Sequence, residues 1–144
     1  MLRKEPKLIE EYVGTGMAKL QFHHILDHGN NSVQASAAAE CAGQQGAFWA
    51  MHNLLFENQD TLWGADMAAF GNFATSLNLD PATFQQCMDS GEMQARVKLI
   101  DQEAKALGVR VRPTFDIIIN GEEVQRLSGS PTIEQWRQTL DSYN

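Results

Sequence analysis

The segment from Gly108 to Gly121, which reads GVRVRPTFDIIING, constrains the fold more than any other part of the chain. Proline has no N–H to give to a sheet, so Pro113 belongs at the first residue of a strand or at a bulge. The peptide bond that joins it to Arg112 is one of the few that can be cis at modest cost. Asn120 and Gly121 form a strong hairpin signal, because a type I′ turn needs positive φ at both central positions. The segment therefore predicts a proline-headed strand that leads directly into a hairpin.

Composition excludes several classes of protein. The length of 144 residues fits one domain, and a hydrophobic content of 43% is enough for a core. The 18 acidic and 11 basic residues give a net charge of −7, so neither nucleic acid nor an anionic membrane is an expected partner. No apolar run approaches the roughly 20 residues that cross a bilayer. The N-terminal sequence also lacks the apolar core of a signal peptide.

Hydrophobic spacing predicts a single domain over residues 1–144, in the order helix, strand, helical block, helix, two strands and helix. The helical block is expected over about residues 33–91. The first helix is predicted from Leu2 to Val13 and the first strand from Ala18 to Leu26. Asp80 and Pro81 fit the N-cap and the first position of a helix. The other predicted helices cover residues 33–45, 47–58, 66–77, 92–107 and 130–143, and the other strands cover 114–119 and 123–127.

Four blocks of sequence occur in a fixed order along the chain. They are Glu5–Leu8 with Tyr12, Thr15 and Gly16; Ala39–Phe56, which contains QGAFWAMHNLLF; FQQCMDSG at 84–91; and the proline segment Gly108–Gly121. Together they resemble the bacterial DsbA-like thioredoxin family, over nearly the whole chain from Glu5 onward. The resemblance implies an α/β, thioredoxin-like fold with an inserted helical block.

The chain also departs from that family at its start. Family members begin with a strand that ends in Cys-x-x-Cys, at the start of the helix predicted here from Leu2, and both features are absent from this sequence. Since a thiolate is the attacking group in disulfide exchange, we expect no oxidoreductase activity from the chain as given. Three explanations stay open: a piece of a longer gene product, a non-catalytic descendant, or a chain cut for another reason.

The first strand of the family is central in its sheet. Without it, the two predicted strands at Ala18–Leu26 and Thr114–Ile119 are expected to have unmatched hydrogen-bonding edges. We therefore expect an unstable chain, a homodimer, or a strand swap that fills the gap.

Cys41 and Cys87 admit two interpretations. Free cysteine is among the most buried residue types, so both can be small core side chains. The resemblance to some DsbA-like proteins implies instead a structural disulfide between two helices of the helical block. Closing a loop of about 47 residues would then stabilise the fold by roughly 4 kcal/mol. A catalytic role is not expected, because the two cysteines share no turn.

The four histidines do not predict a metal site. His23 and His24 point to opposite faces of a strand, so they cannot easily bind one ion. No cysteine or carboxylate stands beside them at ligand spacing. His52 lies in the helix pattern that resembles the family, where a packing role is the simpler interpretation. We expect neither a metal nor a cofactor.

Arg112, Pro113 and Thr114 are the candidate substrate-binding residues. Pro113 opens an apolar strand a short loop after Gly108, and its block is similar to the cis-proline segment of the resembled family, so we expect the Arg112–Pro113 bond to be cis. In that family, the backbone on either side of the cis proline pairs with extended substrate. Arg112 is either a solvated arginine at the start of a strand or a group that favours a thiolate or holds a substrate carboxylate. Arg110 and Arg112 could also hold the anionic groups of glutathione or CoA in a relative of the same fold. Asp116 is interpreted as an outward-facing residue of the pleat.

The resemblance implies the domain of a thiol–disulfide oxidoreductase that forms or isomerises disulfides in exported proteins. Its partners would be protein or peptide thiols and disulfides. The alternative is a non-catalytic thioredoxin-fold module that binds peptides. The family is bacterial and periplasmic or otherwise extracytoplasmic, while the lack of a signal peptide in this chain leaves the cytoplasm open.

Overall fold

The computed structural model describes residues 5–62 and 67–143. Leu2–Lys4 and Asp66, which belong to two of the predicted helices, lie outside the described residues. The helices are α1 (Glu5–Leu8), a π-helical segment (Ile9–Val13), α2 (Gly29–Gln44), α3 (Phe48–Glu57), α4 (Gln59–Leu62), α5 (Met67–Ser76), α6 (Pro81–Ser90), α7 (Glu92–Ala106) and α8 (Ile133–Asp141). The strands are β1 (Thr114–Ile119) and β2 (Glu122–Ser128).

The chain divides into two compact units. The helical unit is His23–Ala104. The mixed unit consists of the residues up to Phe22 and those from Lys105 onward, and it contains both strands. The organisation of the chain as a single domain stays a prediction.

The helical unit is organised around α2, whose buried face consists of small side chains. Ala37, Ala38, Cys41 and Ala42 are at most 1% exposed. Small side chains allow close approach of neighbouring helices, and α3, α5 and α6 all contact α2. The larger side chains of the core come from these neighbours and from α7, and include Met51, Leu55, Phe70, Phe84, Met88 and Met93.

A disulfide joins α2 to α6 in this core. The Sγ atoms of Cys41 and Cys87 are 1.98 Å apart and the Cα atoms 5.8 Å apart. Cys41 is buried and Cys87 is half-buried. The structure therefore agrees with the second interpretation of the cysteines, a structural disulfide.

Helix α6 begins where its sequence predicts, whereas α8, predicted from residue 130, begins at Ile133. Asp80 caps α6 by accepting a hydrogen bond from the Thr83 N–H at 2.7 Å, with Pro81 at the first helical position. Thr132 and Gln135 form a reciprocal capping box at the start of α8. These caps satisfy N–H groups that have no partner within the helix.

The mixed unit contains the predicted hairpin. Asn120 and Gly121 have φ of +54° and +87°, as a type I′ turn requires. The antiparallel register pairs Ile119 with Glu122 and shifts between Ile117 and Ile118, so that Val124 is the extra residue of a β-bulge.

Helix α8 packs against one face of this hairpin. The rings of Phe115 and Trp136 meet edge to face, with centroids 4.7 Å apart. The segment before Gly14 is held to α8 by two polar contacts. The Tyr12 hydroxyl donates to Asp141 at 2.8 Å, and Arg137 binds both carboxylate oxygens of Glu11 at 2.5 and 2.9 Å.

The predicted strand at Ala18–Leu26 is wrong, because the described residues form no strand there. Burial nevertheless alternates as in a strand, with Ala18, Leu20, Phe22 and His24 more buried than the residues between them. A strand requires a hydrogen-bonded neighbour, and no described strand pairs with this segment. The alternating sequence pattern therefore determines which side chains of this segment are buried. The backbone hydrogen bonds of a strand depend in addition on a second strand from another part of the chain.

Reduction of the disulfide is expected to lower the free energy of unfolding by up to about 4 kcal/mol, because Cys41 and Cys87 are 46 residues apart and their bond restricts the unfolded chain. Urea unfolding with and without a phosphine reductant measures this difference. The Cys41→Ser, Cys87→Ser double variant is the control, since its stability should not respond to the reductant. A wild-type curve that is unchanged by complete reduction would contradict the expectation.

Candidate functional site

The proline loop, residues Val111–Thr114, lies at the start of β1. Its Arg112–Pro113 peptide bond is cis, as the sequence predicts. The Thr114 hydroxyl donates to the Val111 carbonyl at 2.5 Å, which closes the loop on itself. Gly129 N–H donates to the Pro113 carbonyl at 2.8 Å, which holds the loop to the end of β2. The loop is thus fixed by short contacts, while Val111 and Arg112 are exposed.

Among the described residues, β1 is hydrogen-bonded to a strand on one edge only, the edge facing β2. In a strand, the N–H and C=O of one residue point to the same edge, and successive residues alternate. The Pro113 carbonyl faces β2 through Gly129. The backbone groups of Thr114, Asp116 and Ile118 therefore point to the opposite edge. We call this the open edge of β1, and it begins at the proline loop.

Arg110 and Arg112 stand two residues apart but have different surroundings. Arg110 Nη1 donates to the Lys105 carbonyl at 2.8 Å, in the last turn of α7. A cation at this end of a helix interacts favourably with the helix dipole. Arg112 belongs to the proline loop itself. One of the five N–H groups of Arg110 is thus engaged at α7, and a joint anion site of the glutathione or CoA type with Arg112 stays a prediction.

Arg126 fixes the outer face of the hairpin. Its Nε and Nη2 atoms bind the two carboxylate oxygens of Asp116 at 2.6 and 2.9 Å, and its Nη1 donates to the Leu107 carbonyl at 2.8 Å. The hydrogen bonds with Asp116 raise the pKa of Arg126 above its already high ordinary value. Asp116 faces outward as expected, but it has a structural partner that the sequence interpretation missed.

A cleft of about 360 Å³ lies between the end of β2 and the first turns of α8. Its polar lining includes Arg126 and Gln135. Arg126 is engaged with Asp116, and Gln135 is part of the capping box. The cleft does not contain the proline loop, and we assign it no role in substrate binding.

The histidines of the helical unit are part of its packing. His24 is 4% exposed, shares a hydrogen bond of 2.9 Å with Glu40, and packs edge-on against Phe48. His52 is equally buried and lies between the rings of Trp49 and Phe56. Within residues 5–62 and 67–143, no group of three or more metal-binding side chains is close enough to hold an ion.

Burial determines the protonation of His24. Desolvation lowers the pKa of its imidazole below the ordinary value of 6.5, and it outweighs the hydrogen bond with Glu40, which acts in the opposite direction. The nearby His52 and His23 lower the pKa further. His24 is therefore neutral at pH 7, and its contact with Glu40 is a hydrogen bond between a neutral ring and a carboxyl group.

A comparison with models of protein families shows to which family the chain belongs. The family model described as thioredoxin matches residues 2–142, which is nearly the whole chain. The chain belongs to the thioredoxin family. The predicted fold class is therefore confirmed as a thioredoxin-like, mixed α/β domain that is mostly helical.

Two curated relatives of this thioredoxin-family chain come from Salinispora. A protein named Na(+)/H(+) antiporter NhaA 3, from Salinispora tropica, is 37% identical over 119 residues, which are 81% of this chain and 18% of the relative. Na(+)/H(+) antiporter NhaA 1, from Salinispora arenicola, is 37% identical over 100 residues, which are 69% of this chain and 14% of the relative. The chain thus spans less than a fifth of either relative.

No solved structure matches the chain. In the part of this thioredoxin-family chain that the structure describes, no helix has both the length and the apolar character needed to cross a membrane.

The structure brings together the three residues that the sequence named as substrate contacts, Arg112, Pro113 and Thr114, in one short loop. Their contact with substrate stays a prediction. Arg126 could not be found from the sequence, because a regular two-residue hairpin would place Gln125 opposite Asp116. The bulge at Val124 moves Arg126 into that position instead.

Stability is expected to decrease as the pH falls below about 6.5, the ordinary pKa of histidine. The folded chain lowers the pKa of His24, so the unfolded chain binds more protons between the two pKa values. The stabilisation is fully present above the unfolded pKa and is lost toward the folded pKa, at up to about 1.4 kcal/mol per pH unit.

Urea unfolding between about pH 5 and 8 measures this slope. The variant His24→Gln should reduce it, while His23→Gln, which changes the exposed neighbour, should keep it. Equal slopes in the two variants would show that His24 is not its source.

Proposed function

We propose that this chain is the peptide-binding part of a DsbA-like thiol–disulfide oxidoreductase, which acts on exported proteins in a bacterial periplasm or similar compartment. In this proposal the Cys-x-x-Cys pair belongs to a segment that precedes Met1 in a longer product. The observation that carries the proposal is the proline loop, which stands at the head of a strand with an open edge in the described residues. The family match over residues 2–142 supports it.

An extended peptide has the geometry to bind at this loop. The Thr114 N–H and C=O point to the open edge of β1, where main-chain hydrogen bonds to an added strand can form. The Arg112 side chain is exposed next to this position and supplies a positive charge in a chain of net charge −7. A guanidinium can bind a carboxylate of the peptide through two parallel hydrogen bonds.

The redox step itself needs a pair of thiols that this chain does not supply. In disulfide formation, a substrate thiolate attacks one sulfur of an enzyme disulfide, and a second substrate thiolate then displaces the enzyme sulfur. Two electrons pass from the substrate dithiol to the enzyme disulfide. Cys41 and Cys87 are joined to each other in the helical core, and no free cysteine is present. The chain therefore contributes recognition, and the longer product contributes the exchange reaction.

A non-catalytic module that binds peptides is the second candidate. It is favoured by the observation that both cysteines of the sequence are used in one structural disulfide. Both proposals assign peptide binding to the proline loop and differ only in thiol chemistry. The codons upstream of Met1 distinguish them, since an in-frame Cys-x-x-Cys preceded by an apolar strand supports the oxidoreductase, and its absence supports the module.

The purified 144-residue chain is expected to reduce insulin, and to oxidise reduced ribonuclease, no faster than its Cys41→Ser, Cys87→Ser variant. The reason is that the chain has no free thiolate to attack the disulfides of insulin, while its own disulfide lies in the helical core, where a thiolate of ribonuclease has poor access to it. Turbidity of insulin and recovery of ribonuclease activity are the measurements. Activity above that of the double variant would overturn the division between recognition and redox chemistry.

Arg112→Ala is expected to weaken the binding of an extended peptide that carries glutamate side chains, by about tenfold in Kd, which corresponds to roughly 1.4 kcal/mol for a charge-assisted hydrogen bond. Fluorescence anisotropy of a labelled peptide measures the change. Arg110→Ala is the matched control. It removes the same charge two residues before Arg112, from a side chain that donates to the end of α7. Equal effects of both variants would indicate a general charge effect and argue against the loop as the binding site.

A further inference from the structure

Arg126 contacts the chain on both sides of the proline loop. Leu107 precedes the loop and Asp116 follows it, and the guanidinium of Arg126, on β2, binds both. Its Nη1 donates to the Leu107 carbonyl at 2.8 Å, and its Nε and Nη2 donate to the two carboxylate oxygens of Asp116 at 2.6 and 2.9 Å. We propose that Arg126 is a positioning residue of the proline loop, because it holds the segment that leads into the loop to the strand that leaves it. This inference rests on the proposed function, in which the loop binds peptide.

The planar guanidinium makes this arrangement specific to arginine. Two parallel hydrogen bonds to one carboxylate, that of Asp116, fix the orientation of the guanidinium plane. The remaining Nη1 then points in one direction, and the Leu107 carbonyl lies in that direction. A lysine ammonium is a compact point charge and cannot make the same fork. Lysine at position 126 would therefore keep the charge but lose the fixed geometry.

The Leu107 carbonyl directly follows Ala106, the last residue of α7. Carbonyls at the end of a helix have no partner within the helix, and arginine side chains can bind them. Two arginines do so here, since Arg110 binds the Lys105 carbonyl and Arg126 binds the Leu107 carbonyl. Arg110 belongs to the short segment between α7 and the loop, whereas Arg126 comes from the hairpin. The Arg126 contact therefore ties the start of this segment to the sheet.

The other end of the loop is fixed by the hydrogen bonds of the Thr114 hydroxyl and the Pro113 carbonyl. Arg112 lies in the sequence between these contacts and the one at Leu107. A loop that is held at both ends is pre-organised, and pre-organisation improves affinity because less conformational entropy is lost on binding. Arg126 therefore affects peptide binding through the position of Arg112, without touching the peptide itself.

The charge of Arg126 is already balanced by its neighbours. Carboxylate oxygens of Asp116 and Glu123 lie 2.6 and 3.3 Å from its nitrogen atoms. The side chain is 27% exposed. A guanidinium so close to two carboxylates attracts a further anion weakly, because opposite charges at this distance largely cancel each other's field. We therefore expect the contribution of Arg126 to depend on geometry, and not on a direct contact with acidic peptide.

Limited proteolysis of the whole chain with trypsin tests the positioning without any peptide. Trypsin cleaves after arginine in segments that open locally, and the Arg110–Val111 bond lies within the held segment. Arg126→Lys should speed this cleavage at least about fivefold, measured by mass spectrometry of the fragments. Arg137→Lys is the matched control, since it changes a second bidentate pair of the mixed unit, with Glu11, away from the loop. Cleavage that is unchanged in Arg126→Lys, or equally faster in both variants, overturns the proposal.

Peptide binding tests whether this position matters for function. Arg112→Ala should raise Kd about tenfold in the wild-type background, but less than about threefold in the Arg126→Lys background, because an Arg112 that is no longer held gains less from its contact. The effects of Arg112→Ala and Arg137→Lys should instead multiply. An equal effect of Arg112→Ala in all three backgrounds would count against a positioning role.

A wild-type chain that binds no peptide overturns the proposed function, while the proteolysis still decides whether Arg126 positions the loop. Circular dichroism shows whether each variant is folded. If Arg126→Lys is not folded, Asp116→Asn takes its place, because it removes the charge of the carboxylate that orients the guanidinium. It should speed the same cleavage by a smaller factor, and an unchanged rate in this folded variant would likewise overturn the proposal.

Discussion

The mixed unit depends on the direction in which β1 points its backbone hydrogen-bonding groups. The contact from Gly129 N–H to the Pro113 carbonyl assigns that residue to the edge facing β2. The alternation of a strand then assigns Thr114, Asp116 and Ile118 to the other edge. A slip of one residue would exchange both the edges and the faces of the strand. The turn at Asn120–Gly121 and the pair of Asp116 with Arg126 oppose such a slip, and they thereby fix which backbone groups of β1 face each edge.

The features that the sequence predicts well are those decided by a few neighbouring residues. Positive φ at Asn120 and Gly121 follows from the turn type, and the cap at Asp80 follows from its own side chain and the Thr83 N–H three residues later. The predicted and observed bounds of β1 are the same, because a proline and a turn delimit it. The position of the proline loop in the sequence could be predicted for the same reason, because Pro113 itself marks where the loop joins β1.

The features that the sequence does not predict depend on distant partners. Ala18–Leu26 has the alternating burial of a strand but no ladder, since a ladder requires a second strand at a separate place in the chain. The pairing of Asp116 with Arg126 depends on the bulge at Val124, whose one-residue shift has no clear signature in the sequence. The π-helical segment at Ile9–Val13 likewise follows a sequence that reads as an ordinary helix.

The positions of the two cysteines fit a structural disulfide and do not fit a reactive thiol. A reactive thiolate is favoured at a helix N-terminus and in partial contact with solvent. Cys41 and Cys87 each lie in the last turn of their helix, where the dipole disfavours a negative charge, and Cys41 is 1% exposed. The helix dipole makes both sulfurs poor nucleophiles even when the disulfide is reduced, and burial adds to this effect at Cys41. The proposed function therefore assigns the attacking thiolate to a separate segment of one gene product, apart from the proline loop that is proposed to bind peptide.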